Sequence, residues 1–357
     1  MSNKLSTDSY KGVRDFYPED QFVQSYIFSV WRSTIESFGY VEYGASILEP
    51  SEIYKEKSGE EIVKEQTFTF IDRGEREVTL RPEMTPTVAR MVAAHKRDLG
   101  FPLRWYSIPN LFRYEAPQRG RLREHWQLNV DIFGAKNFMA DVEIIKIAYR
   151  IMLNFGATDS DFEIRLNSHS TVEELNKVIS ELNKEGINNM RIDETLARGQ
   201  AYYTGVVFEL FDTNSTNPRS ILGGGRYDNL IDLFSHDDVP AVGFGAGDVT
   251  IKDFLETHNL LPDYKSTTNL YIALLSLDFV LEAEKLADIL RADGVNVSID
   301  FSDRKIGDQI KTADKHRVPY IIVIGDEEVK SGTYKLKNLG TGEEKLVKPS
   351  EISACVK

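Results

Sequence analysis

The sequence is poor in cysteine, since Cys355 is the only one among 357 residues. A single thiol excludes an internal disulfide and a zinc site built from several thiolates. No run of about 18 apolar residues is present, which excludes a typical membrane-spanning helix. Residues 1–10 are polar and lack the apolar core of a secretory signal peptide. We therefore expect a protein of a reducing compartment without membrane partners, most simply the cytoplasm.

Metal ligands are also sparse. The six histidines form neither an HExxH motif nor an i,i+4 pair. No metal site is therefore predicted within the protein.

Positive charge is outnumbered, with 43 Lys and Arg against 56 Asp and Glu and a net charge of −13. An acidic chain is a poor general coat for nucleic acid, although a local basic patch can still bind phosphate. Residues 104–123 form such a patch, because five arginines stand there with one glutamate. We expect an anionic ligand at this place.

Composition and length describe an ordinary globular protein, 41% hydrophobic and 28% charged, of two domains. Apolar periodicity predicts helices over 21–38, 85–96, 140–153 and 171–184, with Thr85 as an N-cap. Strands are predicted over 40–49, 66–71, 78–80, 104–114, 127–133, 162–166 and 206–211. This order favours an α+β domain on one large antiparallel sheet, with helices flanking it.

A polar stretch at 263–268 is predicted to be a linker, dividing a domain at 1–262 from one at 269–357. The second domain alternates strands at 270–275, 295–300 and 320–325 with helices at 280–293 and 306–316. Such alternation is typical of a small α/β domain with a partly parallel sheet.

Three stretches combine charge, aromatic residues and glycine. The first is residues 80–86, LRPEMTP, where Glu83 and Thr85 are candidates to bind a substrate ammonium group. A plain helix N-terminus with a capping threonine explains the same residues equally well.

The second stretch runs from residue 112 to 127, FRYEAPQRGRLREHWQ. If the first part is a strand, Arg113 and Glu115 point to the same face. The guanidinium could then clamp a phosphate of ATP while the carboxylate accepts a hydrogen bond from the adenine amino group. The loop arginines could hold the outer phosphates. A solvated surface hairpin is the alternative.

The third stretch comprises residues 196–205, LARGQAYYTG, and 223–228, GGGRYD. Three consecutive glycines are costly in conformational entropy and mark a close approach of the backbone to a ligand or to another strand. The glycines at 243–247 have the wrong spacing for a dinucleotide fingerprint, so NAD is not expected.

Taken in this order, and preceded by KGVRDF at 11–16, these stretches resemble the class II aminoacyl-tRNA synthetases, and among them the histidyl-tRNA synthetase family. Residues 301–305 and 313–315 resemble the anticodon-binding domain of that family. The resemblance implies ATP with Mg²⁺ as cofactor, L-histidine and tRNA(His) as partners, and a homodimer formed through residues 21–50. The implied reaction is activation of histidine to histidyl-adenylate, followed by transfer to tRNA(His).

The resemblance also implies roles for individual residues. For ATP they are Arg113 on the α-phosphate, Glu115 on the adenine amino group, Arg121 on the outer phosphates and His125 against the adenine ring. For histidine they are Glu83, Thr85, Gln127, Asp131, Tyr202 and Tyr203. Arg198, Arg113 and Gln127 would be the catalytic residues.

The sequence departs from the family in three places. Residues 168–197 stand where a helical insertion domain is usual, so that domain is absent or nearly so. Gln200 and Ala201 replace a usual Leu-Asp pair, and Thr250 replaces a usual arginine. These departures leave two alternatives open: a non-catalytic histidine-binding paralogue like the regulatory subunit of ATP phosphoribosyltransferase, or a trimmed core that activates histidine but charges tRNA poorly.

Overall fold

The computed structural model describes residues 4–55, 66–196, 203–234 and 238–356. The chain divides into two units, Met1–Pro262 and Asp263–Lys357. Each unit has its own main sheet and its own buried core. Within the described ranges, no helix is both long and apolar enough to cross a membrane.

The first unit mixes helices and strands along its whole length. Its helices are α1 (Pro18–Glu36), α2 (Glu52–Lys55), α3 (Thr85–His95), α4 (Met139–Asn154), α5 (Val172–Lys184) and α6 (Asp248–Thr257). Its strands are β1 (Val41–Glu42), β2 (Leu48–Pro50), β3 (Phe68–Ile71), β4 (Glu77–Leu80), β5 (Leu103–Ser107), β6 (Asn110–Phe112), β7 (Glu124–Phe133), β8 (Phe162–Ser168), β9 (Met190–Ile192), β10 (Val206–Asp212), β11 (Ser220–Arg226) and β12 (Ala241–Gly247).

The main sheet of this unit has the order β1-β5-β7-β12-β11-β10-β8-β9, and β6 also pairs with β7. Its strands pair antiparallel, except for β1 with β5 and β8 with β9, which are parallel. A smaller antiparallel sheet, β2-β4-β3, lies apart from it. The predicted α+β class with a large antiparallel sheet is confirmed.

Helices α1 and α4 cover one face of the main sheet. Trp31 of α1 and Ile144 and Ile151 of α4 are fully buried there, the two isoleucines seven residues apart on one helical face. Every second residue of β7 joins the same core, namely Leu128, Val130 and Ile132. The residues that alternate with them, Gln127, Asn129 and Asp131, therefore face the opposite side of the sheet.

The connection from β8 to β10 is short. Helix α5 begins after Thr171, whose side chain accepts a hydrogen bond from the backbone N–H of Glu174 at 3.2 Å. Strand β9 follows and adds to the sheet edge parallel to β8. The chain then returns in register beside β8, with Val206 opposite Ser168. One helix and one short strand thus occupy the described part of the segment at which the sequence predicts a missing insertion.

The second unit has a five-stranded sheet in its described residues. The elements are β13 (Leu270–Leu274), α7 (Val280–Ala292), β14 (Val297–Ile299), α8 (Ile306–Lys315), β15 (Tyr320–Ile324), α9 (Asp326–Ser331), β16 (Tyr334–Asn338), β17 (Glu344–Val347) and α10 (Pro349–Val356). The order is β14-β13-β15-β16-β17. The first three strands are parallel and the last two pair antiparallel, as expected for a partly parallel sheet.

Two predicted strands are each divided in the structure. Residues 40–49 contain β1, which pairs with β5, and the start of β2, which pairs with β4 in the other sheet. Residues 104–114 contain β5 and β6, separated by Ile108 and Pro109. Proline has no N–H to donate to a strand ladder, which accounts for this second break.

Two predictions about single residues are wrong. Thr85 is the first helical residue of α3, not its N-cap; Met84 holds that position and no side chain caps the helix. Arg113 and Glu115 do not lie on a strand, because β6 ends at Phe112. The backbone N–H of Arg113 instead donates to the carbonyl of Arg123 at 2.8 Å, which joins the two ends of the loop.

Arg226 connects β11 to α4 through a buried ion pair with Asp141. Its Nε donates to both carboxylate oxygens of Asp141 at 3.1 Å, and the two residues are only 8% and 2% exposed. Nη1 also donates to the carbonyl of Ala135 at 3.0 Å. The arginine of the GGGRYD motif is therefore part of the core of the unit.

We predict that Asp141→Ala lowers the free energy of unfolding of the first unit by about 3 kcal/mol, because it removes the main counter-ion of the buried Arg226 guanidinium and leaves, among the described residues, only Asp228 Oδ1, at 3.2 Å, to pair with it. Urea unfolding followed by circular dichroism measures this change. Asp98→Ala, at an exposed carboxylate, is the control and should change the midpoint little. An equal effect of the two substitutions would contradict this role of Arg226.

Candidate functional site

A polar cavity lies on the face of the main sheet opposite α1 and α4. Its floor is the polar side of β7, with Gln127, Asn129 and Asp131, beside Gly243 and Gly245 of β12. Because side chains alternate along a strand, the residues that fill the core and the residues that line this cavity come from the same ten-residue strand. The pleat of β7 therefore positions three polar groups in a row.

The glycines of β12 provide the space in which these side chains lie. In the register of β7 and β12, Gly243 stands opposite Asp131 and Gly245 opposite Asn129. A Cβ at Gly243 would come within 2.3 Å of Asp131 Oδ1, and one at Gly245 within 2.5 Å of Gln127 Nε2. Any side chain at these positions would fill the cavity or displace its polar groups.

The three consecutive glycines of β11, the strand next to β12, also allow close contacts within this sheet. A Cβ at Gly224 would lie 1.9 Å from the carbonyl oxygen of Gly243, and one at Gly225 2.6 Å from that of Val206. Gly223 lines the cavity itself. At these glycines the backbone therefore lies close both to the neighbouring strands and to the cavity. The sequence left both interpretations open, and the structure shows both.

Asp131 is the chemically distinctive group of this cavity. Its carboxylate is buried, and burial raises its pKa to about 7 although a hydrogen bond from Tyr227 acts against the increase. Tyr227 Oη donates to Oδ1. The other oxygen, Oδ2, is buried without a hydrogen-bond partner in the described ranges. A ligand with an N–H or O–H donor would satisfy it.

Other predicted residues line the same cavity. Glu83 and Thr85 reach it from the start of α3, and Tyr203 from the segment before β10. Glu83 is buried, and so brings a carboxylate to the cavity wall. The Thr85 side chain, which does not cap α3, lines the cavity instead. The structure therefore brings carboxylates, a hydroxyl and a phenol together around one small space.

Arg113 also lines this cavity, and in addition lines a second one beside it. Its Nε donates to the carbonyl of Pro82 at 2.8 Å, which orients the guanidinium between the two spaces. The second cavity is formed by Arg113, Glu115, Gly120, Arg121, Leu122, His125, Gly247, Val249 and Thr250. The four residues predicted to bind ATP all belong to this set.

The second cavity contains an internal ion pair. Arg121 Nε pairs with Glu115 Oε2, and Glu115 is only 7% exposed whereas the Arg121 side chain is 42% exposed. The pair offsets the cost of burying the carboxylate. It also places one cation and one hydrogen-bond acceptor side by side, which suits a ligand with a phosphate at one end and an amino group at the other.

His125 adds an aromatic ring to the second cavity. Burial, with the positive charges of Arg113 and Arg14, lowers the pKa of His125 to about 3. The imidazole is therefore neutral near pH 7. A neutral ring offers a flat surface against which a base can stack without repelling nearby cations.

Some residues of the site were missed by sequence reasoning. Tyr227 and Asn129 both line the first cavity. Tyr227 donates a hydrogen bond to Asp131, and Asn129 Oδ1 accepts one from Gln127 Nε2 at 2.7 Å. Tyr227 belongs to the GGGRYD motif, of which only the glycines were interpreted. The alternation of side chains along β7 is the signal that could have identified Asn129.

A second missed feature connects the N-terminal segment to the site. Arg14 Nη2 donates to Asp248 Oδ2 at 2.7 Å, and the backbone N–H of Trp126 donates to Oδ1 at 2.9 Å. Burial raises the pKa of Asp248, which the positive charge of Arg14 opposes. The KGVRDF motif thus anchors β7 and the start of α6 next to the second cavity.

Arg198 and Tyr202, predicted to be catalytic and histidine-binding residues, lie outside the described residues, as do Gln200 and Ala201.

Comparison with known proteins gives a consistent picture. The family profile described as "Histidyl-tRNA synthetase" matches residues 12–168 and 163–249, two stretches that meet within β8. The profile described as "Anticodon binding domain" matches residues 269–357. The two stretches of the first profile meet just before the short connection that contains α5.

Relatives match over nearly their full length. A histidine–tRNA ligase of Leptospira biflexa is 38% identical over 412 aligned positions, which cover 95% of this chain and 94% of the relative. One of Thermoplasma volcanium is 34% identical, covering 96% of each. Because both alignments are longer than the 357 residues of this chain, these relatives carry residues that it lacks.

A solved structure agrees with the sequence relatives. The apo crystal structure of the S. aureus histidyl-tRNA synthetase superposes with a TM-score of 0.87 at 28% identity, over 99% of this chain and 100% of that one. By its sequence and its fold, the chain belongs to the histidyl-tRNA synthetase family, a class II aminoacyl-tRNA synthetase.

Proposed function

We propose that the protein activates L-histidine with Mg²⁺-ATP to form histidyl-adenylate and transfers the histidyl group to tRNA(His), acting in the cytoplasm as a homodimer. The single observation that carries the proposal is the pair of adjoining cavities that share Arg113. One is lined by groups suited to an amino acid with an imidazole ring, the other by groups suited to a nucleotide. Family membership supports the same reaction.

In the first cavity, we place the imidazole of histidine against Asp131. The unpartnered Oδ2 would accept the N–H of the ring, and Tyr203 would contact the second ring nitrogen. Tyr227 holds Asp131 in place through Oδ1. Glu83, Thr85 and Gln127 would bind the ammonium and carboxylate groups. An apolar amino acid would leave the buried Oδ2 of Asp131 without a hydrogen-bond partner, which is a strong basis for rejection.

In the second cavity, we place ATP. His125 would stack on adenine, the buried Glu115 would accept from its amino group, and Arg121 would contact the outer phosphates. Arg113 stands between the cavities, where the α-phosphate must meet the histidine carboxylate. The Mg²⁺ would arrive on the phosphates of the nucleotide, as this ion usually does.

The first step is attack of a histidine carboxylate oxygen on the α-phosphorus. A new P–O bond forms, the bond to the β-phosphate oxygen breaks, and pyrophosphate leaves with the electron pair. This chemistry needs alignment and cationic stabilisation more than a protein nucleophile. In the second step, a ribose hydroxyl of tRNA attacks the carbonyl carbon of histidyl-adenylate. The new ester C–O bond replaces the C–O bond to the phosphate, AMP leaves with the electron pair, and the hydroxyl proton passes to the departing phosphate or to water.

Histidine-dependent exchange of pyrophosphate into ATP, followed by charging of tRNA(His), tests the proposal. We expect both activities in the purified protein. Absence of exchange would overturn the proposal and favour a histidine-binding paralogue without catalysis. Exchange without charging would identify a core that activates histidine but does not transfer it to tRNA. The short connection through α5, where the family usually has an insertion domain, would then be the structural explanation.

We predict that Arg113→Gln lowers kcat/KM for exchange by at least about 100-fold, because it removes the cation that both cavities share. The far-ultraviolet circular dichroism spectrum should stay unchanged. Arg97→Gln, at an exposed arginine in the turn that follows α3, is the matched control and should keep full activity. Equal activities of the two variants would refute the role of Arg113.

A pH dependence follows from the raised pKa of Asp131, about 7. Above this pH the Asp131 carboxylate is ionised and accepts a hydrogen bond from the neutral imidazole of the ligand. At lower pH the carboxylate takes up a proton, and so does the imidazole of free histidine, whose pKa is about 6.5. We expect the affinity for histidine, measured by calorimetry, to fall as the pH is lowered below about 7. Asp131→Asn, which cannot titrate, should bind histidine more weakly and show a shallower pH profile. An identical profile in this variant would exclude Asp131 as the titrating group.

A further inference from the structure

A third cavity opens beside the nucleotide cavity and shares Gly120 and Thr250 with it. Its other lining residues are Gln118, Arg119, Thr216, Asn217, Pro218, Arg219, Ile221 and Asp253. The two cavities are therefore neighbours around one loop residue and one helix residue. A ligand that extends beyond the nucleotide cavity on this side would enter the third one.

The cations near the nucleotide differ in how far they are already engaged. Arg121 is paired with Glu115, and Arg123 donates to Tyr10 Oη at 2.9 Å and to the carbonyl of Glu115 at 3.1 Å. Arg219, by contrast, makes no hydrogen bond or ion pair with any described residue. Its guanidinium is therefore available for a ligand.

Charge in the third cavity leaves Arg219 uncompensated. The carboxylate that lines it, Asp253, lies near Arg119, whose positive charge opposes the effect of burial on the pKa of Asp253. Arg119 and Asp253 thus balance each other in sign. Arg219 therefore remains as the net positive charge of the third cavity.

The backbone on both sides of Arg219 is held in place. Asn217 Nδ2 donates to Asp212 Oδ2 at 2.7 Å and to Thr257 Oγ1 at 2.9 Å, and Pro218 restricts the chain in between. On the other side, Thr250 Oγ1 donates to the carbonyl of Ile221 at 2.7 Å. The backbone that carries Arg219 therefore needs little rearrangement when the side chain binds an anion.

Gly120 allows the Arg219 side chain to lie across the loop. Its φ is +73°, a left-handed conformation that favours glycine, and a Cβ there would stand 2.9 Å from Arg219 Cδ. The loop that carries Arg121 and the segment that carries Arg219 therefore meet at this glycine. Arg121 comes from the loop before β7 and Arg219 directly precedes β11, so the two arginines reach Gly120, which lines both cavities, from different elements.

We propose that Arg219 binds the β- and γ-phosphates of ATP and that the third cavity receives them. This inference rests on the proposed function. It adds a second cation to Arg121 for the outer phosphates, at a boundary between the two cavities that is lined by the uncharged residues Gly120 and Thr250. Since AMP lacks these phosphates, Arg219 should distinguish ATP from AMP.

The test compares wild type, Arg219→Gln and Arg219→Lys by calorimetric binding of ATP and AMP in the presence of Mg²⁺. Arg219→Gln should weaken ATP binding by about 10- to 100-fold, the loss expected for one charged hydrogen bond, and leave AMP binding within about twofold. Arg219→Lys should recover part of the loss. In pyrophosphate exchange, KM for ATP should rise while KM for histidine stays unchanged. Arg97→Gln is the matched control and should behave as wild type.

The other outcomes overturn the inference in distinguishable ways. Unchanged ATP binding in Arg219→Gln with active wild-type exchange would refute the role of Arg219 and leave the proposed function intact. Equal losses for ATP and AMP would indicate a structural role. Unchanged ATP binding with a raised KM for tRNA in charging would assign the cavity to tRNA phosphates instead. A wild-type protein that binds no ATP would end both the inference and the proposed function.

Discussion

The alternation of side chains along β7, facing glycines on β12, is the constraint on which the rest of the site depends. One side of the strand is apolar and fixes the sheet on α1 and α4, so the other side is held with the rigidity of the core. Gln127, Asn129 and Asp131 then project into a space that Gly243 and Gly245 leave open. Rigidity and room for a ligand come from the same pair of strands.

The surrounding elements extend this arrangement without altering it. Arg226 joins β11 to α4 inside the core, while Tyr227, the next residue along the chain, holds Asp131 from the cavity side. Asp248 joins the N-terminal segment to β7 and α6. Motifs far apart in the chain thus meet because each supplies one fixed contact to the same sheet, which is how a site made of distant residues becomes preorganised.

Much of the fold could be predicted from the sequence, because helices and apolar strands show their burial in the spacing of their residues. The limits have physical causes. Strands β11 and β12 were not predicted because they are rich in glycine, which has low strand propensity, and only the neighbouring strands explain why glycine is needed. The predicted residues of both cavities came from motifs, whereas Tyr227 and Asn129 depend on register and pleat, which are properties of the paired sheet. The pairing of Glu115 with Arg121 is likewise a feature of the folded loop.

The position of Arg113 in the wall between two cavities has a thermodynamic consequence. A guanidinium oriented by the carbonyl of Pro82 presents the same charge to occupants on either side, so the arrival of one anionic group changes the free energy of the other. By thermodynamic linkage, the factor by which bound nucleotide changes the affinity for the amino acid equals the factor by which bound amino acid changes the affinity for the nucleotide. A single side chain thereby makes the two ligands cooperative or antagonistic partners, without any movement of the sheet.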